Sequence, residues 1–234
     1  MNDVRLRALL AVALLTATPA QAQLTACQLP DRLPTLNGNA RPDAARRIVP
    51  IDGYILALSW SPQHCARARN PDRFQCENNR FGFILHGLWP QGRNGSWPQY
   101  CRPAAPLSAA VLRSNLCATP SANLMQHEWA KHGTCMARKP EAYFDQARAA
   151  YGRLRFPDTL ALARRDGLTV GSLTAAMVSA NGRALSARSI KIRTTRDGWL
   201  EEVQICLDRR QRFAVCGADD RPAPSPTRAI RIRL

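Results

Sequence analysis

The sequence predicts an α+β fold in which a central antiparallel sheet is flanked by helices. Three observations predict it. Short apolar runs suited to strands stand early, at 54–60 and 81–86; a block of helical patterns fills the middle; and apolar–polar alternation returns from Ile190 onward around an Asp197-Gly198 turn. Helices and antiparallel strands kept in separate runs indicate α+β rather than a parallel α/β sheet.

Each element has its own signal. Residues 23–50 are Pro-rich and polar, and read as an irregular lead-in tied down by Cys27. Tyr54 to Trp60 (YILALSW) reads as a strand that Ser61-Pro62 ends. Phe81 to His86 (FGFILH) is apolar on both faces, as a central buried strand would be. Residues 88–106 are loop, and 106–116 form a short helix. A helix capped by Ser121 or Asn123 runs through His127 and stops at Gly133. Pro140 to Leu154 is a stronger helix with proline in its first turn, and 158–165 and 172–179 are two more. Ile190 and Ile192 alternate with Lys191 and Arg193 in a strand, followed by the hairpin turn and a strand from Trp199 to Leu207. Phe213 to Cys216 and Ile230 to Leu234 read as two last strands.

The chain of 234 residues opens on a targeting pattern. Arg5 and Arg7 precede an apolar run, Ala8 to Leu15, too short to span a membrane, and Ala20-Gln21-Ala22 is a small-x-small cleavage site. Residues 1–22 are therefore expected to be a signal peptide cleaved after Ala22, and 23–234 a single domain. No other run approaches membrane-spanning length, so no membrane partner is expected, and nothing in the sequence points to an oligomer; a monomer is the expectation. All eight cysteines lie beyond the signal, none in a Cys-x-x-Cys pair, which favours disulfides formed in a periplasmic or extracellular compartment over zinc. The formal charge of +16, carried mostly by arginine, favours a polyanionic partner such as nucleic acid.

The segment HEWAKHGTC, His127 to Cys135, nearly spells a zinc protease. In that motif two histidines four residues apart on a helix face one metal. Here Lys131 stands where the second ligand should be, and His132 comes one position late. On an α-helix at about 100° per residue, His127 and His132 diverge by about 140°. An ammonium between splayed histidines suits anion binding and proton transfer rather than a metal, so no metal and no cofactor are expected. His127, Glu128, Lys131 and His132 form a stripe of titratable groups. A third histidine of the chain's four, His86, ends the apolar run in FGFILHGLWPQ; the fourth, His64, reads as structural or exposed.

These two segments together resemble the ribonuclease T2 family, which carries one segment like F-x-x-H-G-L-W-P and one like H-E-W-x-K-H-G-T-C. LSWSPQHC, GSWPQYC and GWLEEVQICLD are looser likenesses, so the resemblance covers most of the chain after the signal. It implies a disulfide-bridged, metal-independent endoribonuclease with little base specificity, acting on single-stranded RNA and leaving 2′,3′-cyclic phosphate ends. It implies His132 as general base, His86 as general acid, His127 as phosphate binder, and Lys131 and Glu128 as supports of the transition state, with the two histidine labels interchangeable. Trp89, Gln91 and Trp97 are implied as base-binding residues, although Trp89 also suits packing beneath the site. By the same resemblance Cys101 pairs with Cys135, Cys206 with Cys216 and Cys65 with Cys76, which leaves Cys27 with Cys117. Eukaryotic members often carry a further cysteine near Arg193, bridged to the C-terminus; this chain has neither partner. A non-catalytic, basic nucleic-acid binder of the same fold is the alternative.

Overall fold

The computed structural model describes residues 27–34, 36, 44–217 and 224–234; the expected signal peptide lies outside them. Its frame is a four-stranded antiparallel sheet of β1 (Gly53–Trp60), β2 (Phe83–Gln91), β3 (Ile190–Thr194) and β4 (Leu200–Asp208), in the order β2-β1-β4-β3. Two short helices not foreseen, α1 (Ser61–Arg67) and α2 (Arg73–Cys76), follow β1; Pro62 sits in the first turn of α1, where its missing N–H costs nothing. Between β2 and β3 run α3 (Ala109–Asn115), α4 (Ala122–Glu128), a π-helical turn (Trp129–Gly133), α5 (Thr134–Met136), α6 (Pro140–Gly152), α7 (Thr159–Ala163) and α8 (Val170–Asn181).

The sheet has two unlike faces. Leu56, Leu58, Leu85, Val203 and Ile205 are fully or almost fully buried in the core. The opposite phase of the same strands carries Ile55, Ser59, His86, Glu202, Gln204, Lys191 and Arg193.

β2 corrects two expectations. It is an edge strand rather than a central one, and it continues past His86 to Gln91. Phe83, Ile84 and Leu85 are nevertheless buried in succession, which accounts for the apolar character of both faces, and the outer edge is covered. Leu85 donates its N–H to Ala118 O at 2.9 Å and its carbonyl accepts from Thr119 Oγ1 at 2.7 Å, while the Leu88 N–H donates to the Tyr143 hydroxyl at 3.3 Å. An edge position also tolerates Pro90.

Three further boundaries differ. The helix beginning after the Ser121 cap does not stop at Gly133 but passes through the π turn to Met136. Residues 213–216 make only one bridge, Leu207 to Phe213, and are held by the Cys206–Cys216 disulfide. The C-terminal segment alternates as expected, with Ile230 and Ile232 buried, but it makes only isolated bridges, and Leu234 is exposed. It is secured by scattered backbone bonds, such as Ile230 N–H to Leu168 O at 2.9 Å and Leu200 N–H to Arg231 O at 2.8 Å, and by the Trp60 indole N–H, which donates to the Arg233 carbonyl at 2.8 Å.

The disulfides are Cys27–Cys117, Cys65–Cys76, Cys101–Cys135 and Cys206–Cys216, the pairs the resemblance implies. No helix among the described residues is long and apolar enough to cross a membrane.

Candidate active site

All eight residues singled out for the site line one pocket of about 420 Å³. His86, Trp89 and Gln91 come from β2, Trp97 from the following loop, and His127, Glu128, Lys131 and His132 from the α4–π segment; Ile55, Arg193 and Gln204 complete the wall.

The strand places His86 by a local irregularity. Ala57 of β1 faces Gly87 while Leu58 faces Leu85, which leaves His86 as the extra residue of a β-bulge. A bulge re-aims the side chain it frees. Here it turns the imidazole over the polar face of the sheet, towards β4. Nδ1 of His86 lies 2.8 Å from Glu202 Oε2 and 3.0 Å from Ser59 Oγ. The other Glu202 oxygen accepts from Gln204 Nε2 at 2.8 Å. Sequence reasoning missed Glu202 and Gln204. The signal was their shared phase in the 199–207 strand, opposite the apolar Val203 and Ile205.

The helix places its groups by a different irregularity. A π turn hydrogen-bonds i to i+5 and winds the chain less per residue than an α-helix. His132 therefore swings back towards the side of His127, and the divergence expected from pure α geometry does not hold; both histidines line the pocket. Gly133 permits this turn to press on α6, since a β-carbon there would lie 2.8 Å from Tyr143 Cγ. Among the described residues, no three His, Cys, Asp or Glu side chains group as metal ligands.

Glu128 joins the two halves. It is 2% exposed; Oε1 lies 3.5 Å from His86 Nε2, and Oε2 accepts from the Trp89 indole N–H at 2.8 Å. Trp89 is thereby wedged between the histidines, its ring 5.1 Å from that of His86 and 5.6 Å from that of His132. It is part of the scaffold as well as of the pocket wall. Trp97 presents one ring face to Arg47, whose guanidinium carbon stands 4.4 Å from the ring centre. Gln91 donates to the Pro90 carbonyl at 3.1 Å. His64 is exposed on α1 and lines a neighbouring groove.

Proton affinities follow from this packing. Burial pushes Glu128 up to about 7, against the pull of His86 and the Trp89 N–H. Burial works against the charged form of His86, but the hydrogen bond to Glu202 and the charges of Glu128 and Glu202 outweigh it and raise its pKa. Burial also opposes ionisation of Glu202, yet the hydrogen bond and charge of His86 hold that carboxylate below its ordinary value.

A match to the ribonuclease T2 family model covers residues 51–216, which includes all eight residues singled out for the site. The chain belongs to the ribonuclease T2 family. A ribonuclease of Aeromonas hydrophila is 34% identical over 172 residues, covering 73% of this chain and 78% of that protein. A Haemophilus influenzae protein described as a probable ribonuclease is 37% identical over 123 residues, covering 47% of this chain, and the chain spans only 45% of that protein's length. Among solved structures, RNase NT in complex with 5′-AMP aligns with a TM-score of 0.59 at 24% identity, over 79% of this chain and 98% of that one. Trichomaglin, described as an S-like ribonuclease, aligns at 0.61 and 19%, over 78% and 97%. These two likenesses concern the ribonuclease T2 fold alone.

Proposed function

We propose that this protein is a metal-independent endoribonuclease that cuts single-stranded RNA by transesterification. The observation that carries the reading is the convergence of His86, His127, Glu128, Lys131 and His132 on one pocket.

RNA supplies its own nucleophile, the 2′-hydroxyl beside each phosphate. His132 takes the 2′ proton, and the 2′ oxygen attacks phosphorus. The bond from phosphorus to the 5′ oxygen breaks, and His86 protonates that oxygen as it leaves. The products are a 2′,3′-cyclic phosphate and a free 5′-hydroxyl. Lys131 and His127 hold the phosphoryl oxygens as charge builds on them. Glu128 braces His86 and Trp89. The raised proton affinity of His86 supports its role as the acid, because it keeps a proton to donate at neutral pH. Trp97 brings an aromatic ring to the pocket wall that can stack on any base, which supports weak sequence preference, while Trp89, packed against both histidines, serves more as scaffold.

The domain spans 23–234 after signal cleavage and works as a monomer. Four disulfides support a periplasmic or secreted setting.

The test uses an RNA oligonucleotide, its all-deoxy copy and excess EDTA, with product ends identified by mass spectrometry. RNA cut to 2′,3′-cyclic ends with DNA intact is the expected result. RNA bound but uncut would favour the basic binder, and activity abolished by EDTA would overturn the metal-free mechanism.

A further inference from the structure

Three neighbouring concavities along the polar face of the sheet share lining residues in series, and together we treat them as one trough. The site pocket shares Arg193 with a groove of about 360 Å³ that also holds Ser59, His64, Arg67, Glu201 and Glu202. It shares Ile55 and Gln91 with a groove of about 480 Å³ that holds Asp52, Arg93, Lys191 and Asp208. Strand register explains the continuity. Gly53, Ile55, Ala57 and Ser59 share one face of β1, opposite Asp208, Cys206, Gln204 and Glu202 of β4, and the last two face Lys191 and Arg193 of β3. Eight residues of β1 extend about 26 Å at ~3.3 Å each, longer than a site for one scissile phosphate and its two neighbours requires.

Cations recur along this length. Arg67 stands at one end, Arg193 and Lys191 succeed each other along the β3 wall, and Arg93 stands at the far end. The carboxylates in the trough have partners. Glu201 pairs with Arg67 at 3.0 Å and Asp52 with Arg93 at 3.5 Å, Asp208 pairs with Arg212 at 2.7 Å, and Glu202 binds His86. The pairs at the two ends are exposed and worth little, so a phosphate can displace the carboxylate from either arginine. The alternation Ile190-Lys191-Ile192-Arg193 thus has a use beyond sheet packing: its polar phase is a wall of the trough.

We propose that the trough binds an extended single strand of RNA, with Arg67 and Lys191 holding phosphodiesters on opposite sides of the bond that is cut. This rests on the ribonuclease reading and adds to it phosphate contacts beyond the scissile bond, carried by Arg67 and Lys191.

The test compares a dinucleotide with a 12-nucleotide RNA for the wild type and for the Arg67→Ala and Lys191→Ala variants. A 2′-O-methyl 12-mer, which cannot be cleaved, reports binding by fluorescence anisotropy. The wild type is expected to prefer the 12-mer. Each variant should lower kcat/KM on the 12-mer by about three- to tenfold and leave the dinucleotide rate unchanged. Each should also weaken 2′-O-methyl binding, with a salt slope shallower by about 0.7 for every phosphate that is no longer neutralised. Equal losses on both substrates, or unchanged binding of the 12-mer, would overturn the proposal. Should the wild type cut neither RNA, the ribonuclease reading fails, and the 2′-O-methyl binding still decides the trough.

Discussion

Nε2 of His86 lies 3.5 Å from Oε1 of Glu128, so the sheet and the α4–π segment meet across an imidazole and a buried carboxyl group. The burial of this carboxyl has a consequence for stability. Glu128 titrates at about 7 in the folded chain against an ordinary 4.5, so between these values the folded protein keeps a proton that the unfolded chain has released. Rising pH therefore favours unfolding through this window, and His86, whose pKa is raised above 6.5, acts in the same direction. Glu202, held below its ordinary value, loses its contribution only at lower pH. Stability should be greatest near about pH 5 and decline by up to about 3 kcal/mol towards pH 8. Urea denaturation across this range measures it. Glu128→Gln should flatten the decline, and an unchanged slope in that variant would remove Glu128 as its source.

Glu202 should act on the reaction through His86 alone. Its carboxylate is 14% exposed and fixes Nδ1, leaving Nε2 towards the pocket. Glu202→Gln keeps the shape and removes the charge. The amide oxygen still accepts from Nδ1, so only the charge-assisted part of the bond is lost, about 1–1.5 kcal/mol, and kcat/KM should fall by about five- to tenfold. The alkaline limb of the pH–rate profile should also move to lower pH, because His86 loses a group that raises its proton affinity. A uniform drop with no movement of that limb would assign Glu202 a purely structural part.

The sequence made the fold class legible because the strand and helix periodicities occupy separate stretches, and the two histidine segments carry the family resemblance and supply most of the residues that line the candidate pocket. What it concealed were two irregularities, each of which moves a histidine. The bulge at His86 depends on how β2 registers against β1, a long-range pairing that no local pattern carries. The π turn depends on Gly133 meeting Tyr143 across to α6, a tertiary contact that overrides α-helical winding. The same limit explains the C-terminus. The alternation of Ile230 and Ile232 with arginines marks their burial, but the Trp60–Arg233 bond that helps secure the segment joins residues 173 apart. Glu202 was hidden differently: its strand and phase were readable, but its partner lay on another strand.

Gly87 packs its backbone directly against the Glu128 carboxyl group. A β-carbon there would overlap the Glu128 carboxylate and come within 2.9 Å of Trp89 Nε1. Gly87→Ala should displace Glu128 and lower kcat/KM by about a hundredfold, with destabilisation of about 1–3 kcal/mol from overpacking. Gly152→Ala, with nothing within 4 Å of the new carbon, is the matched control and should leave activity unchanged. Kinetics and urea denaturation of both variants provide the check. Full activity in Gly87→Ala would mean that the position of Glu128 does not matter to the chemistry.

The Cys101–Cys135 bridge should matter to activity more than its effect on stability implies. Cys135 follows the π turn, and Cys101 follows Tyr100, whose N–H donates to the Lys131 carbonyl at 2.8 Å. Trp97 lies four residues earlier on the same loop. The bridge thus ties the loop bearing Trp97 to the backbone that bears Lys131 and His132. Chain entropy predicts a loss of about 4 kcal/mol for opening its 34-residue separation, and about 3 kcal/mol for the 11-residue separation of Cys65–Cys76. The two double Cys→Ser variants should therefore differ little in stability. They should differ in catalysis at a temperature where both remain folded, with a loss of about tenfold or more in kcat/KM only for the 101–135 pair. Equal rates in the two variants would mean that the bridges act through global stability and that alignment of loop and helix is secured by the Tyr100–Lys131 bond alone.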